Sequence, residues 1–426
     1  MGESSHEKEA EYIIPESLEI SVGEIPYLNK LFEIFPALSS KNYLLYFLGQ
    51  LISLIGTWLQ FVAQGWLVIE LTHSVFLLGL VSAVNGIPIL LFSLYAGVIV
   101  DRFPKRKILL FTQTGSMILA FIFGILTLLH QINIWEILLL SFLFGLSNSL
   151  DSPARNAFAP ELVGKERLTS AIALNSAIFN GARVIGPAVA GFLILLVGTG
   201  GAFIINGISY FAVIAALLVM KVPSIVQKHK IDLLLAIKEG LFYSFRHPVI
   251  RSLLVLISIV SIFGWSYTTV LPIISQDVFH KGATGLGYLL SAGGLGALTA
   301  TILVSATSKK ISSAIYIFGG NIIFAISIFL FSLNLSFALA LVFLFFASFG
   351  LLVQSININS TIQKIVPNEI RGRVISIYVL MFIGAMPIGN FEIGWLSARL
   401  GTSFAIQFGA LIIFVSGMFL FLRRKF

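Results

Sequence analysis

The sequence predicts an all-α membrane protein, with twelve transmembrane helices in two six-helix repeats and both termini cytoplasmic. Three observations carry this: the composition, the length of the apolar runs and the placement of positive charge. Of 426 residues, 57% are hydrophobic and 11% charged, and mean hydropathy is +0.98. A soluble domain carries about 25% charged residues, so charge is too scarce here to cover one. A bilayer core of ~30 Å needs about 20 mostly apolar residues per spanning helix. Runs of that length fill nearly everything after Lys41. They are continuously apolar rather than alternating, which excludes a membrane barrel, and within lipid only helices and closed barrels satisfy their backbone groups.

The predicted spans of the first half fall near 42–70, 75–100, 107–130, 134–156, 168–197 and 201–221. Those of the second half fall near 249–279, 284–307, 312–332, 335–363, 373–399 and 402–422. Four regions follow. Residues 1–40 form an acidic cytoplasmic tail, with eight Glu by residue 33 and no signal-peptide pattern. Residues 41–221 form one bundle, and 249–426 form the second bundle with a basic tail. Between them, 222–248 sets Lys228, Lys230, Lys238 and Arg246 among Leu233, Leu234, Ile237, Leu241 and Phe245. That spacing suits an amphipathic helix lying on the membrane surface.

Lys and Arg favour cytoplasmic loops. With the N-terminus inside, only Lys281 and Arg399 of 27 basic residues fall outside, and Arg183 falls within a span. An even number of spans then returns Arg423, Arg424 and Lys425 to the cytoplasm. The halves also repeat. Pro160 and Glu161 precede Lys165, Arg167 and a new helix, as Pro367 and Glu369 precede Arg371, Arg373 and another. Paired six-helix repeats are the arrangement of a transporter whose site lies between its halves.

Composition excludes other classes. No cysteine is present, so thiol chemistry and disulfides are out, and the six histidines show no ligand spacing. No cofactor or metal is expected. No phosphate-binding Walker loop appears, so ATP is not the energy source, and paired carboxylates for membrane-embedded catalysis are missing. The expected partners are a small-molecule substrate, membrane lipid and protons, with no nucleic acid and no obligate protein partner.

The strongest motif combines Gly97, Asp101 and Arg102 with the basic cluster Lys105, Arg106 and Lys107, between the second and third spans. It resembles the cytoplasmic signature of the major facilitator superfamily. The resemblance implies a conformational latch. Gly97 permits close helix approach, and Asp101 sits at a positive helix N-terminus, that of the eleventh span. Lys105 or Arg106 pairs with Asp151, beside Arg155. Breaking those contacts would couple loop charge to the inward-to-outward equilibrium. Simple positive-inside anchoring explains the basic cluster but not the Gly and Asp spacing. In the second half, Ser308, Lys309 and Lys310 keep charge without the Asp.

A narrower resemblance rests on Gly49, Gln50, Ser53, Gly56, Trp58, Gln60, Trp66, Asp151, Pro153, Arg155, Pro160, Glu161, Asn175, Asn180, Arg183, Gly186, Pro187 and Gly191. These are similar to the enterobactin-exporter-like branch, also labelled transmembrane secretion effectors. That branch implies multi-pass placement in the inner (plasma) membrane and export of siderophores, macrolides or other amphiphiles. Gly186, Pro187 and Gly191 also resemble the fifth-helix motif of superfamily antiporters. Close packing of Ala182, Gly186 and Ala190 explains them equally well.

The first, fourth, seventh and tenth helices line the cavity in this superfamily, and each carries a polar stripe. Thr57, Gln60 and Gln64, then Asn148, then Trp265 and Thr268, then Gln354 and Asn357 are the cavity candidates. Interhelical hydrogen bonding is the other explanation for such stripes. Arg183 is the sole basic residue near mid-membrane, with either a substrate role or a structural one. Glu392 is the best embedded carboxylate for proton coupling. The functional expectation is secondary active export of a small amphiphile by alternating access. Rivals are a lysophospholipid translocator or importer of the same fold, and a non-transporting sensor or assembly protein.

Overall fold

The computed structural model describes residues 32–220, 222, 233–308 and 310–422, and their regular elements are helices. Residues 1–31 of the acidic tail, Lys228 and Lys230 of the linker, and the 423–426 tail lie outside the described residues. Among those described, eleven helices are long and apolar enough to cross a membrane. In the first half these are α1 Lys41–Thr72, α2 Val75–Arg102, α3 Lys105–Leu128, α4 Ile134–Gly164 and α5 Glu166–Val219. The short helix α6, Leu233–Arg246, follows. In the second half they are α7 Pro248–Val278, α8 Gly282–Thr307, α9 Ser313–Ser332, α10 Phe337–Ile365, α11 Ile370–Leu400 and α12 Thr402–Leu422.

Short polar caps set the helix starts. Ser40 accepts from the Tyr43 amide at α1 and also donates to the Leu162 carbonyl, tying α1 to the end of α4. Ser74 and Ser336 cap α2 and α10, and Asn133 with Glu136 forms a capping box on α4. Two glycines place the sharpest bends. Gly164 (φ 72°) separates α4 from α5, and Gly198 (φ 70°) breaks α5 internally. Side-chain-bearing residues rarely adopt that left-handed region. The fifth and sixth predicted spans both fall within α5, on either side of Gly198.

Two of the expected regular helices are irregular. In α7, Val260–Trp265 and Ile274–Val278 wind as π-helix. In α11, the helix breaks at 383–385 between Phe382 and Met386. The two irregularities face each other: Ser261 Oγ donates to the Phe382 carbonyl freed by the break. The Gly389 Cα site lies so close to Ile262 that an added Cβ would sit 2.2 Å from its carbonyl oxygen. Non-helical backbone at membrane depth needs such a protein partner.

The halves, α1–α5 and α7–α12, meet along two seams lined by glycine. In the first, α2 crosses α11 with Gly79 against Gly394 and Gly86 against Pro387. In the second, α5 crosses α8. A Cβ on Gly287 would meet the Pro187 carbonyl at 2.6 Å, and one on Gly191 would meet the Ala283 carbonyl at 2.8 Å. Thr284 and Ser291 add hydrogen bonds to the Gly191 and Val184 carbonyls, the latter 2.7 Å. Toward the other ends of α2 and α11 the picture reverses. Neither Gly97 nor Gly372 has any atom within 4 Å of where a Cβ would stand. Gly79 and Gly97 are eighteen residues apart, ~27 Å along a helix. The halves touch at one end and diverge at the end bearing Arg102 and Lys105.

Candidate functional site: the interface between the halves

The motif around Gly97 sits differently from expectation. Gly97, Asp101 and Arg102 form the last turns of α2, not a loop, and only Phe103 and Pro104 separate them from α3. The Asp101 side chain lies outside the described residues. Gly97 makes no close helix approach here, because α2 and α11 have separated at this end. Arg102 is exposed.

The expected pairing of Asp151 with Lys105 or Arg106 is also corrected. Asp151, 4% exposed on α4, accepts from Thr112 Oγ1 at 2.7 Å and Gln113 Nε2 at 2.6 Å. It forms its ion pair with Arg155, one turn along the same helix, and Arg155 also reaches Gln50 on α1. The i, i+4 spacing brings these two groups together without any movement of α3. Lys105 instead pairs with Glu161 at 2.8 Å. Arg106 donates to the Leu217 and Leu218 carbonyls at 2.6 and 2.9 Å. Those carbonyls end α5, where a cation complements the helix dipole. The polar network therefore knits α1, α3, α4 and α5 within one half.

The predicted cavity residues divide into two groups. Gln354 is 0% exposed, and its Cβ lies against Gly320 of α9, so it faces the packing of its own half. Asn357 is 5% exposed and donates back to the Val353 carbonyl at 2.9 Å. Gln60 accepts from Asn206 of α5 and is likewise buried. Of these three, Gln60 makes an interhelical hydrogen bond, Asn357 bonds within its own helix, and both side-chain polar atoms of Gln354 are buried without a partner. Gln64 is half-buried and donates to Ser141 at 2.9 Å. Thr57 and Thr268 are half-buried and return hydrogen bonds to Ser53 and Trp265 of their own helices. Asn148 is exposed on α4.

Arg183 and Trp265 are brought together. The guanidinium carbon lies 5.0 Å from the Trp265 ring centroid, joining α5 of one half to α7 of the other. Trp265 ends the first π segment of α7 and packs edge-on against Phe382 at the α11 break, 5.5 Å between centroids and 81° between planes. Arg183 has no ion pair among the described residues. A charge at mid-membrane costs about 2.5–3.5 kcal/mol on insertion scales. A desolvated cation–π contact returns about 2 kcal/mol, so the ring offsets only part of that cost. Glu392, half-buried on α11, has no hydrogen bond or ion pair among the described residues. The two are not paired with each other. Among the described residues no group of histidines, cysteines and carboxylates could hold a metal ion.

Sequence reasoning missed Phe382 and both irregular segments. Their signal is weak: a π turn leaves no periodicity in a uniformly apolar run, and only Gly264 and Gly384 hint at one. The reading of Ala182, Gly186 and Ala190 as a packing face fits the structure. Ala182 and Ala190 are buried and Gly186 abuts Trp58, while Pro187 and Gly191 build the seam with α8.

A recess of about 480 Å³ opens at the divergent end, lined by Ile356, Asn359, Ser360, Gln363, Lys364 and Arg371. Together with the family and relatives that follow, the apolar spans and paired bundles define a multi-pass transporter of the inner membrane rather than an enzyme. The sequence model of one family, described as transmembrane secretion effector, matches residues 34–425, and the chain belongs to that family. It is 26% identical to the staphyloferrin A transporter of Staphylococcus aureus (strain NCTC 8325 / PS 47), across 89% of this chain and 96% of the relative. It is 27% identical to the enterobactin exporter EntS of Shigella boydii serotype 4 (strain Sb227), across 86% and 88%. The multidrug efflux pump Tap of Mycolicibacterium fortuitum is 24% identical across 86% and 92%. Among solved structures, the nucleoside transporter NupG superposes with a TM-score of 0.69 at 13% identity, covering 90% of this chain and 99% of that one. A bacterial homologue of the iron transporter ferroportin, in an inward-facing state, gives 0.64 at 16% identity, covering 89% and 96%. Both likenesses concern the fold.

Proposed function

We propose that this protein is a secondary active exporter of a small amphiphilic solute, working by alternating access. The observation that carries the reading is the contrast along one pair of helices. Gly79 of α2 packs on Gly394 of α11, while Gly97 and Gly372 near their other ends face open space. Two helices touching at one end only are a rocking contact. Glycine seams let two packed arrangements exchange without large side-chain rearrangement. The relatives that carry siderophores and drugs support an exported amphiphile as cargo.

In this reading α5 supplies two spans divided at Gly198, giving twelve. At 54 residues, α5 would measure ~81 Å if straight, far beyond one bilayer core. Both termini then lie in the cytoplasm, the divergent basic end faces inward, and the conformation is inward-open. Asp101 with Gly97 and Arg102 forms the latch that closes when α2 meets α11 at that end. The Asp151–Arg155 cluster and the Lys105–Glu161 pair hold the first bundle rigid behind it. Glu392 carries the proton whose exchange drives export.

The test is flux from proteoliposomes with and without an imposed pH gradient, using a siderophore and a macrolide as cargoes. Gradient-driven accumulation on the side opposite the basic loops is expected. Accumulation in the reverse direction indicates an importer, movement of lysophospholipid alone indicates a lipid translocator, and no flux of any cargo indicates a sensor.

A further inference from the structure

We propose that the Arg183–Trp265 pair is an anion-recognition element, and that the cargo is an anionic amphiphile. Such a molecule joins a carboxylate or other acidic group to an aromatic or similarly apolar body. This rests on the transporter reading above and narrows it to a chemical class.

Arg183 holds a permanent charge, and its described partner is a ring face, not a carboxylate. Arg183 has no ion pair among the described residues, and acidic side chains elsewhere in the fold have partners of their own. Asp151 is taken by Arg155, Thr112 and Gln113. Glu161 pairs with Lys105, and Glu239 with Arg373. Glu70 accepts from the Trp66 indole at 2.7 Å, and Glu136 caps α4. Glu392, on the outer part of α11, makes no ion pair among the described residues. A guanidinium matches a carboxylate through two parallel hydrogen bonds, a stronger partner than a ring.

A second observation points the same way. The recess at the basic end carries Lys364 and Arg371 and no carboxylate. Arg371 Nε is buried there without a hydrogen-bond partner. The described lining of that recess is thus positive or neutral. A cationic solute meets only like charge there, whereas an anionic one is drawn in. At the junction, the acid takes the Arg183 fork, and the apolar body stacks on the Trp265 and Phe382 rings. Arg183 belongs to one half and Trp265 to the other, so a molecule bound between them engages both.

Two dyes with the same three-ring body make the test: carboxyfluorescein, an anion, and rhodamine 6G, a cation. Binding to the full-length protein in lipid nanodiscs is read by fluorescence anisotropy. Carboxyfluorescein should bind roughly tenfold or more tightly than rhodamine 6G. Arg183→Gln should erase that preference, and Arg183→Lys, which keeps the charge, should retain most of it. Tighter or equal binding of rhodamine 6G overturns the proposal. So does binding of neither dye, or a preference that survives Arg183→Gln in protein with unchanged thermal stability. A parallel flux assay separates the two claims: anion bound with an Arg183-dependent preference but never moved upholds the recognition site and defeats the transport reading.

Discussion

The guanidinium of Arg183 stands 5.0 Å from the centre of the Trp265 ring, across the boundary between the halves. An always-charged group on α5 is thereby held by an aromatic group on α7, at the point where α7 leaves α-helical geometry. This contact can be measured. Single and double replacements, Arg183→Gln and Trp265→Leu, should show a coupling of about 1–2 kcal/mol in thermal or denaturant unfolding. Strict additivity of the two changes means the ring does not hold the cation.

The seam between α5 and α8 predicts how the conformational balance responds to bulk. A side chain at Gly287 would run into the Pro187 carbonyl, so Gly287→Val should force the seam apart and favour the opposite opening. Because the chain has no cysteine, a single Thr284→Cys reports on the seam without background. Its alkylation rate should rise about tenfold in Gly287→Val, a shift near 1.4 kcal/mol. An unchanged rate would mean that the seam tolerates the added bulk without opening.

Asp101 and Asp151 should separate in experiment. Asp151→Asn leaves Arg155 without its counter-ion in a buried cluster, and breaking a buried pair costs about 3–5 kcal/mol. A clear fall in unfolding midpoint is expected. Asp101→Asn, at the end of α2, should keep the midpoint within about 0.5 kcal/mol of the parent while slowing flux. Normal flux in Asp101→Asn at normal protein level removes the latch.

Glu392→Gln should abolish the response of flux to a pH gradient while leaving exchange of substrate between the two sides intact. The amide keeps the shape and polarity of the carboxylate and cannot change charge. Full gradient-driven accumulation in this variant would assign coupling to another group, with Asp151 next in line.

Topology can be read with single cysteines at exposed positions. A reagent confined to the cytoplasm should label cysteines replacing Arg102 and Lys238 and should miss one replacing Lys281. All three native side chains are exposed, so accessibility reports side rather than burial. Labelling at position 281 from the cytoplasm would overturn the placement of the termini.

Much of the helical architecture was legible because apolar length acts on whole helices. Lys281 just before α8 and Arg102 at the end of α2 both lie at helix ends. The partners of individual side chains were less legible. Lys105 and Arg106 lie on α3 and Asp151 on α4, which packs against it, and composition alone cannot say that Asp151 meets Arg155 one turn away and leaves Lys105 to Glu161. The polar stripe of α10 was less legible for a similar reason. Polarity excludes lipid, but it does not distinguish a wet cavity from a neighbouring helix, and the Gln354 Cβ lies against Gly320 while its amide has no partner. Arg183 stood out from sequence because a mid-membrane charge needs an explanation. Trp265 stood out as well, in the polar stripe of α7, but nothing in the sequence says that its ring meets Arg183.

The facing irregularities of α7 and α11 constrain how this chain can change over generations. Ser261 answers the carbonyl that Phe382 loses at the break, so neither segment can be regularised alone. Removing one residue from 260–265 would rotate everything beyond it by about 100°. That would carry Trp265 off the interface and leave the α11 break unanswered. An insertion or deletion in one segment is tolerable only when the other is revised to match. The length of the chain between 260 and 265 is then as much a heritable specification of the binding face as the identity of Trp265 itself.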